Sequence, residues 1–335
     1  MRNFGIDLGT SNTLIYEKGR GIVLREPSVV ARESQSGKVV AVGGEARLML
    51  GKTPGSITAF KPLRDGVIAE FDVTAKMLHR FFKKVAGNSF FSRPRVVVCI
   101  PYGVTEVEKR AVEDATLEAG AQSVALIEEP IASAIGAGLN IASAKGNMIV
   151  DIGGGTSEVA VISLGGIVLS NSLRTAGDKL DDAITNFIKR KYNVVIGDNS
   201  SENLKKTIGT VFPGINPGTM EVRGRNLMTG LPATITVASD ELMEAMDEEI
   251  THIVERICVS LENTPPELAA DIYDNGIMLA GGGALLAGLP NLVSKVTGVR
   301  THVAKMPLDC VALGIGKVIE SPDKTLGDGV SYRTR

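Results

Sequence analysis

Two aspartates, each ending an apolar run and each followed by a turn of small residues, are the first candidates for chemistry. One is Asp7, in Ile6-Asp7-Leu8-Gly9-Thr10-Ser11-Asn12-Thr13-Leu14-Ile15. The other is Asp151, in Val150-Asp151-Ile152-Gly153-Gly154-Gly155-Thr156-Ser157-Glu158-Val159-Ala160-Val161. Small residues let backbone N–H groups approach an oxyanion closely, and Thr and Ser hydroxyls add donors without bulk. A carboxylate at the strand end stands where a phosphate-bound Mg2+ needs an oxygen ligand. Magnesium keeps several waters and takes one or two carboxylates, so Asp7 and Asp151 would act directly or through water. The plainer reading of either segment alone is a β-hairpin with ordinary turn residues. Two copies 144 positions apart, both with Asp in front, favour phosphate binding.

A third small-residue cluster is Ala280-Gly281-Gly282-Gly283-Ala284-Leu285. Here the expectation is a strand running into a helix, the geometry of nucleotide contact at a helix N-terminus. It is not G-x-G-x-x-G, because Leu286 takes the last glycine position. Gly51-Lys52-Thr53 is not a P-loop, because Ala46 stands where that motif needs glycine. The site therefore belongs to neither common nucleotide class. Glu128-Glu129-Pro130 precedes the second aspartate. Either carboxylate suits the orientation or deprotonation of a water attacking a γ-phosphate. Acidic residues also favour a helix first turn through the macrodipole, with no chemistry implied.

These residues need an α/β scaffold to position them. Short apolar strands are expected at 4–8, 13–16, 96–100, 148–152, 159–163 and 276–280, alternating with helices. Thr105 to Ala119 reads as a helix, with a Thr105/Glu108 capping box and Gly120 as its stop. Pro130 opens another helix, since proline suits the first helical position. Helical spacing follows Asp178, through Leu180, Ile184, Phe187, Ile188 and Tyr192. It recurs in a longer helix carrying Leu242, Met246, Ile250, Ile253, Ile257 and Leu261, which ends before Pro265-Pro266. The internal repeat predicts two similar halves, 1–144 and 145–320, facing each other across a cleft. Residues 321–335 read as a loose polar tail.

Composition closes off other classes. With 36 Lys+Arg against 38 Asp+Glu, no basic field argues for nucleic acid. No run of 18 apolar residues marks a transmembrane helix. The first strand starts so early that neither a signal peptide nor an N-terminal amphipathic helix is expected. Three scattered cysteines suit a reducing cytoplasm rather than a disulfide framework, and three scattered histidines give no zinc spacing.

At this point the motifs carry a family resemblance. Asp7-Leu8-Gly9-Thr10-Ser11-Asn12, Glu128-Glu129-Pro130, Asp151 to Thr156 and Ala280 to Ala284 resemble the phosphate, connecting and adenosine motifs of the actin-like ATPase superfamily. Within it, several stretches are similar to the rod shape-determining MreB/Mbl family. They are Arg25 to Ala31, Lys61 to Ala69, Ala176 to Lys179, Gly230 to Pro232 and Asn263 to Ile272. The resemblance implies an α/β, actin-like ATPase fold, with duplicated ribonuclease-H-like domains and four subdomains around a nucleotide cleft. It implies ATP and Mg2+, with Asp7 and Asp151 on the metal side. Thr10, Ser11 and Asn12 would contact the phosphates, with Gly153, Gly154, Gly155 and Thr156 opposite. Glu129 would orient the attacking water, beside Thr156. Glu202, Asn203, Leu204 and Lys205 would line the ribose and base, facing Gly281, Gly282, Gly283, Ala284 and Leu285.

The family also implies a membrane-associated homopolymer that organises cell-wall synthesis at the inner face of the cytoplasmic membrane, with slow hydrolysis as a timer. Phe90-Phe91 in the loop 88–95, flanked by Lys83, Lys84, Arg93 and Arg95, is the candidate membrane contact. Basic flanks favour anionic lipid, and multivalency along a filament would multiply a weak contact. Inward packing of the two phenylalanines is the alternative. A small-molecule kinase of the same fold is the competing function, but no independent acceptor motif supports it. A chaperone ATPase would need a peptide-binding domain, which is not expected here.

Overall fold

The computed structural model describes residues 2–86, 93–321 and 333–334. The first half opens with β1 (Asn3–Leu8), β2 (Asn12–Glu17) and β3 (Gly21–Pro27). A small sheet follows, built from β4 (Val30–Glu33), β5 (Val39–Val42) and β6 (Ile57–Phe60), with α1 (Gly44–Met49) before its last strand. Next come the hairpin β7 (Leu63–Arg64) and β8 (Val67–Ile68), then α2 (Phe71–Ala86), β9 (Arg95–Ile100), α3 (Glu106–Glu118) and β10 (Ser123–Glu128). α4 (Glu129–Ala137) leads into the second half: β11 (Asn147–Ile152), β12 (Ser157–Ser163) and β13 (Gly166–Leu173). α5 (Gly177–Tyr192), β14 (Val194–Val195), α6 (Asp198–Ile208), β15 (Thr219–Asn226), β16 (Pro232–Ala238) and α7 (Ser239–Glu262) follow. The chain ends through α8 (Pro266–Asn275), β17 (Ile277–Ala280), α9 (Leu289–Thr297), β18 (Thr301–Val303), α10 (Cys310–Glu320) and β19 (Arg333–Thr334).

The expected repeat is a repeat of topology. The first large sheet runs β19-β10-β9-β1-β2-β3 and the second runs β13-β12-β11-β17-β18. Leaving β19 aside, each sheet has an antiparallel meander of three strands followed by two parallel ones. Parallel strands need both faces covered, so they read as apolar runs. Val96, Val97 and Val98 of β9 are all buried, as are Met148, Ile149 and Val150 of β11.

Two helices form the joint between the sheets. α4 and α10 share one core with residues from both, including Val97, Ile127, Ile149 and Ile162. They cross at glycines. A Cβ on Gly136 would overlap the Cys310 carbonyl, and one on Gly314 would overlap the Ala132 carbonyl. Although α10 follows the second sheet in sequence, it packs on β1, β2 and β9. The long helix expected from its apolar stripe is α7, with Leu242, Met246, Ile250, Ile253 and Ile257 buried. α3 carries the Thr105/Glu108 capping box.

Two local expectations change. The glycine cluster 281–283 does not open an α-helix but a single 3-10 turn, Gly282–Leu285. Gly281 sits at φ +75, and consecutive glycines cost too much backbone entropy to nucleate a longer helix. The tail expected to be loose contributes β19, which pairs with β10.

Candidate functional site

The two aspartate turns meet across a cleft of about 970 Å3, within the size range of small-molecule pockets. Asp7, Gly9, Thr10, Ser11 and Asn12 line one wall, from the β1–β2 hairpin. Asp151, Gly153 and Gly154 line the other, from the β11–β12 hairpin, and Glu129 lines it at the start of α4. The far end is walled by Glu202, Lys205 and Lys206 of α6, by Gly281 to Gly283, and by Leu285 and Leu286.

Glycine is required where the walls touch. A Cβ on Gly154 would overlap the Ser11 hydroxyl, and one on Gly155 would lie 2.6 Å from Thr10 Oγ1. At Gly281 it would lie 2.5 Å from the Asp151 carboxylate. Thr10 Oγ1 accepts the Gly66 N–H at 3.0 Å. The Gly177 and Asp178 N–H groups donate to the Gly153 and Gly154 carbonyls at 3.1 and 2.8 Å, fixing the second turn to the start of α5. Gly154→Ala is therefore expected to push Ser11 out of the cradle. Titration with a fluorescent nucleotide should show about a five- to hundredfold loss of affinity, as overpacking costs about 1–3 kcal/mol; unchanged affinity would mean that nucleotide does not use this contact.

Three ion pairs tie the halves together across the cleft. Lys61 Nζ lies 2.8 Å from both carboxylate oxygens of Asp178 and 3.3 Å from Ser11 Oγ. Arg47 of α1 pairs with Glu202 of α6, and Arg25 of β3 forms a two-armed pair with the buried Asp309. On the second half, Lys205 is held by Asp181 at 2.8 Å and by the Gly177 carbonyl at 2.6 Å.

Four acids gather here, Asp151 and Glu158 buried and Asp7 and Glu129 half-buried on the cleft wall, and each is harder to ionise than usual. Burial, then the charge of Asp151, pushes Asp7 up to about 7. Burial pushes Asp151 up to about 6, although the Ser133 hydroxyl donates to it. Burial takes Glu158 to about 8, even with the Tyr102 N–H donating at 3.0 Å. Glu129 is raised well above the usual carboxylate range, first by burial and then by Glu158, Asp151 and Asp7. Such a set favours a bound cation, which relieves repulsion without removing oxygen ligands. Asp7 and Asp151 supply hard oxygen donors and fit Mg2+. Among the described residues no group of three or more His, Cys, Asp or Glu side chains is arranged to hold a metal. A cation here would complete its shell with phosphate oxygens and water, as magnesium commonly does.

The structure brings Asp7, Thr10, Ser11, Asn12, Glu129, Asp151, Gly153, Gly154, Glu202, Lys205, Gly281, Gly282, Gly283 and Leu285 to one cleft. The remaining sequence candidates fall off its wall. Leu204 is fully buried, on the face of α6 opposite Glu202 and Lys205, and Ala284 is also in the core. Asn203 lines a second groove with Arg47, Asn199 and Arg223. Gly155 sits behind the first turn, against Thr10 and Asp65, and Thr156 is buried against Gly66. Phe90 and Phe91 lie outside the described residues. Sequence reasoning gave no role to Lys61, Asp178, Ser133, Glu158 or the Arg25–Asp309 pair. Glu158 had a signal, because hairpin register sets it directly opposite Asp151; Lys61–Asp178 and Arg25–Asp309 join elements far apart in the chain, and Ser133 reaches Asp151 from the preceding helix.

Paired sheets of matching order, hinged on two helices and carrying facing phosphate-type turns, define an actin-like ATPase fold. The comparisons agree on the class. MreB5 of Spiroplasma citri, in a crystal structure bound to AMPPNP, superposes with a TM-score of 0.92 at 37% identity, covering 96% of this chain and 97% of that one. The profile of the MreB/Mbl protein family matches residues 1–326, and the chain belongs to that family. It is 53% identical over 331 residues to the cell shape-determining protein MreB of Escherichia coli, covering 97% of this chain and 95% of the relative. It is 51% identical over 323 residues to the cell shape-determining protein Mbl of Bacillus cereus, covering 96% and 97%. The chain is thus an actin-like cytoskeletal protein of that family.

Proposed function

We propose that this chain binds ATP with Mg2+ between residues 1–144 and 145–320, polymerises with copies of itself, and hydrolyses ATP slowly to time the polymer. The observation that carries this reading is the pair of interlocked small-residue turns facing across a cleft that also holds Asp7, Asp151 and Glu129. Thr10, Ser11 and Asn12 cradle the phosphates from one side, with Gly153 and Gly154 opposite. Gly155 and Thr156 support the second turn from behind. Asp7 and Asp151 hold the cation, which offsets phosphate charge. Glu129 orients the attacking water. Lys205, Glu202 and the 281–285 turn enclose the nucleoside. An incoming phosphate competes with Asp178 for the Lys61 ammonium, so ATP exchanges one cross-cleft tie for contacts that span both halves. Closure around ATP then selects one relative arrangement of the halves, and the polymer adds to that state.

The setting is the inner face of the cytoplasmic membrane, beside the cell-wall elongation machinery. Among the described residues no helix is long and apolar enough to cross a membrane, so attachment would be peripheral. Phe90-Phe91 with its basic flanks is the proposed contact.

Sedimentation and negative-stain electron microscopy test this directly. Mg-ATP is expected to move the protein into the pellet as filaments. Anionic vesicles are expected to recruit those filaments, and Phe90→Ser with Phe91→Ser to abolish recruitment without reducing pelleting. A chain that stays in the supernatant with Mg-ATP and phosphorylates a small metabolite would be a kinase of this fold instead.

A further inference from the structure

The first sheet gains its outermost strand from the far end of the chain. β19 pairs antiparallel with β10, Ser123 opposite Thr334 and Val124 opposite Arg333. Arg333 also forks onto α3, with one nitrogen 2.7 Å from Glu113 and another 2.9 Å from Asp114. Without β19, β10 would be an open edge, whose unpaired N–H and C=O groups invite another strand. We propose that the β10 edge and the Glu113–Asp114 pair form a docking site for an extended, arginine-bearing segment. Strand 333–334 is its reversible clip, and the same strand of a second copy takes its place when copies are crowded together. The docking site is separate from the nucleotide cleft; only the exchange between copies rests on the proposed polymerisation.

The recognition mode is strand addition, in which main-chain hydrogen bonds bind and side chains set the register. A slip of one residue would turn Arg333 to the opposite face, away from α3. Glu113 and Asp114 therefore select register as well as charge. The contact itself is small. Two residues pair, and the ion pairs are partly exposed, with Arg333 at 36% and Asp114 at 42%; such pairs add little.

Tethering makes up the difference. α10 is anchored at the turn after β2, where Lys18 Nζ donates to the Ile319 carbonyl at 3.0 Å and the Gly19 N–H donates to Glu320 at 2.6 Å. β10, β9 and β1 separate β2 from β19, so the span is four strand spacings, about 19 Å. The roughly twelve residues from Ser321 to Arg333 reach about 40 Å when extended. The strand's own edge is therefore within covalent reach, and its pairing is intramolecular, at an effective concentration on the order of millimolar. The clip therefore wins in dilute solution, and a second copy's strand competes where copies sit at similar local concentration, as along a polymer.

Fluorescence anisotropy on the full chain tests the site, with a labelled peptide of residues 329–335 as probe. Arg333→Glu disables the chain's own clip, and this variant is expected to bind the peptide at least tenfold more tightly than the unaltered chain. In a chain that keeps Arg333, Glu113→Lys with Asp114→Lys should release the clip yet refuse the Arg333 peptide, and a peptide carrying Glu at position 333 should bind. That rescue separates charge recognition from misfolding. Equal binding by the unaltered and Arg333→Glu chains, or binding indifferent to the charge reversal, would overturn the docking site. For exchange between copies, chains carrying Ser123→Cys are mixed with chains carrying Thr334→Cys and oxidised. A disulfide between copies is expected in the pelleted polymer and not in dilute solution; its absence from a sample shown to pellet would overturn the exchange, whereas a sample that does not pellet fails the proposed function instead.

Discussion

Glu129→Gln is expected to lower ATP turnover by about 10²–10⁴-fold, the usual worth of a positioned acid–base group, with nucleotide affinity almost unchanged. Glutamine keeps the volume and an accepting oxygen, so packing at the start of α4 survives. What disappears is a carboxylate that can polarise water. Glu129 lines the cleft directly after β10, followed by Pro130 at the helix start, so the backbone leaves it little freedom. Its neighbourhood also accounts for the slow hydrolysis proposed above. Burial and the charges of Glu158, Asp151 and Asp7 all oppose its ionisation. A cation held by Asp7 and Asp151 would offset two of those three charges, so the base would become competent only in the loaded site. Phosphate release read beside fluorescent-nucleotide binding separates the two effects. A variant that turns over within threefold of the unaltered chain would strip Glu129 of its role.

The site was legible in the sequence to the extent that it is made of local segments. Asp7 and Asp151 announce themselves because a strand, an acid and a small-residue turn are contiguous. The repeat of that pattern anticipated two sheets of matching order. α3 and α7 were legible through capping chemistry and a 3.6-residue stripe. Relations between distant segments were not legible. Lys61 meets Asp178, and Arg25 meets Asp309, only because the halves close on each other. Helical phase also escaped the reading of Glu202 to Lys205 as a continuous lining. An α-helix turns 100° per residue, so Glu202 and Lys205 share the cleft face while Leu204 enters the core. β19 was unreadable for a different reason. Two residues carry no periodicity, and their strand exists through an edge and an acidic pair contributed by residues 113–124.

Without nucleotide or divalent cation, the protein is expected to lose stability as pH rises from about 4 to about 8, most steeply below about 7, and to level off above that range. The sign follows from proton binding. In the unfolded chain Asp7 and Glu158 titrate near ordinary carboxylate values, so both ionise at the acid end of this range. In the fold, burial takes Asp7 to about 7 and Glu158 to about 8. The folded state therefore holds protons that the unfolded state lacks. The stability they contribute is full below the unfolded values and is lost as pH passes through the folded ones. Each such proton tilts the equilibrium by about 1.4 kcal/mol per pH unit. Melting temperature should fall with pH in EDTA, and Mg-ATP should flatten the slope, because the cation replaces the protons as the partner of these carboxylates. Glu158→Gln isolates the cause. Its amide oxygen keeps the Tyr102 N–H bond, while the charge facing Asp151 and Glu129 is gone. The variant should be more stable than the unaltered chain above about pH 7, with a shallower dependence. A pH-independent melting curve in EDTA, or a Glu158→Gln profile as steep as that of the unaltered chain, would show that these acids do not hold protons in the fold. On the proposed function this repulsion has a use: the acids that destabilise the fold as they ionise are the ones whose charge a cation would offset when it binds with nucleotide.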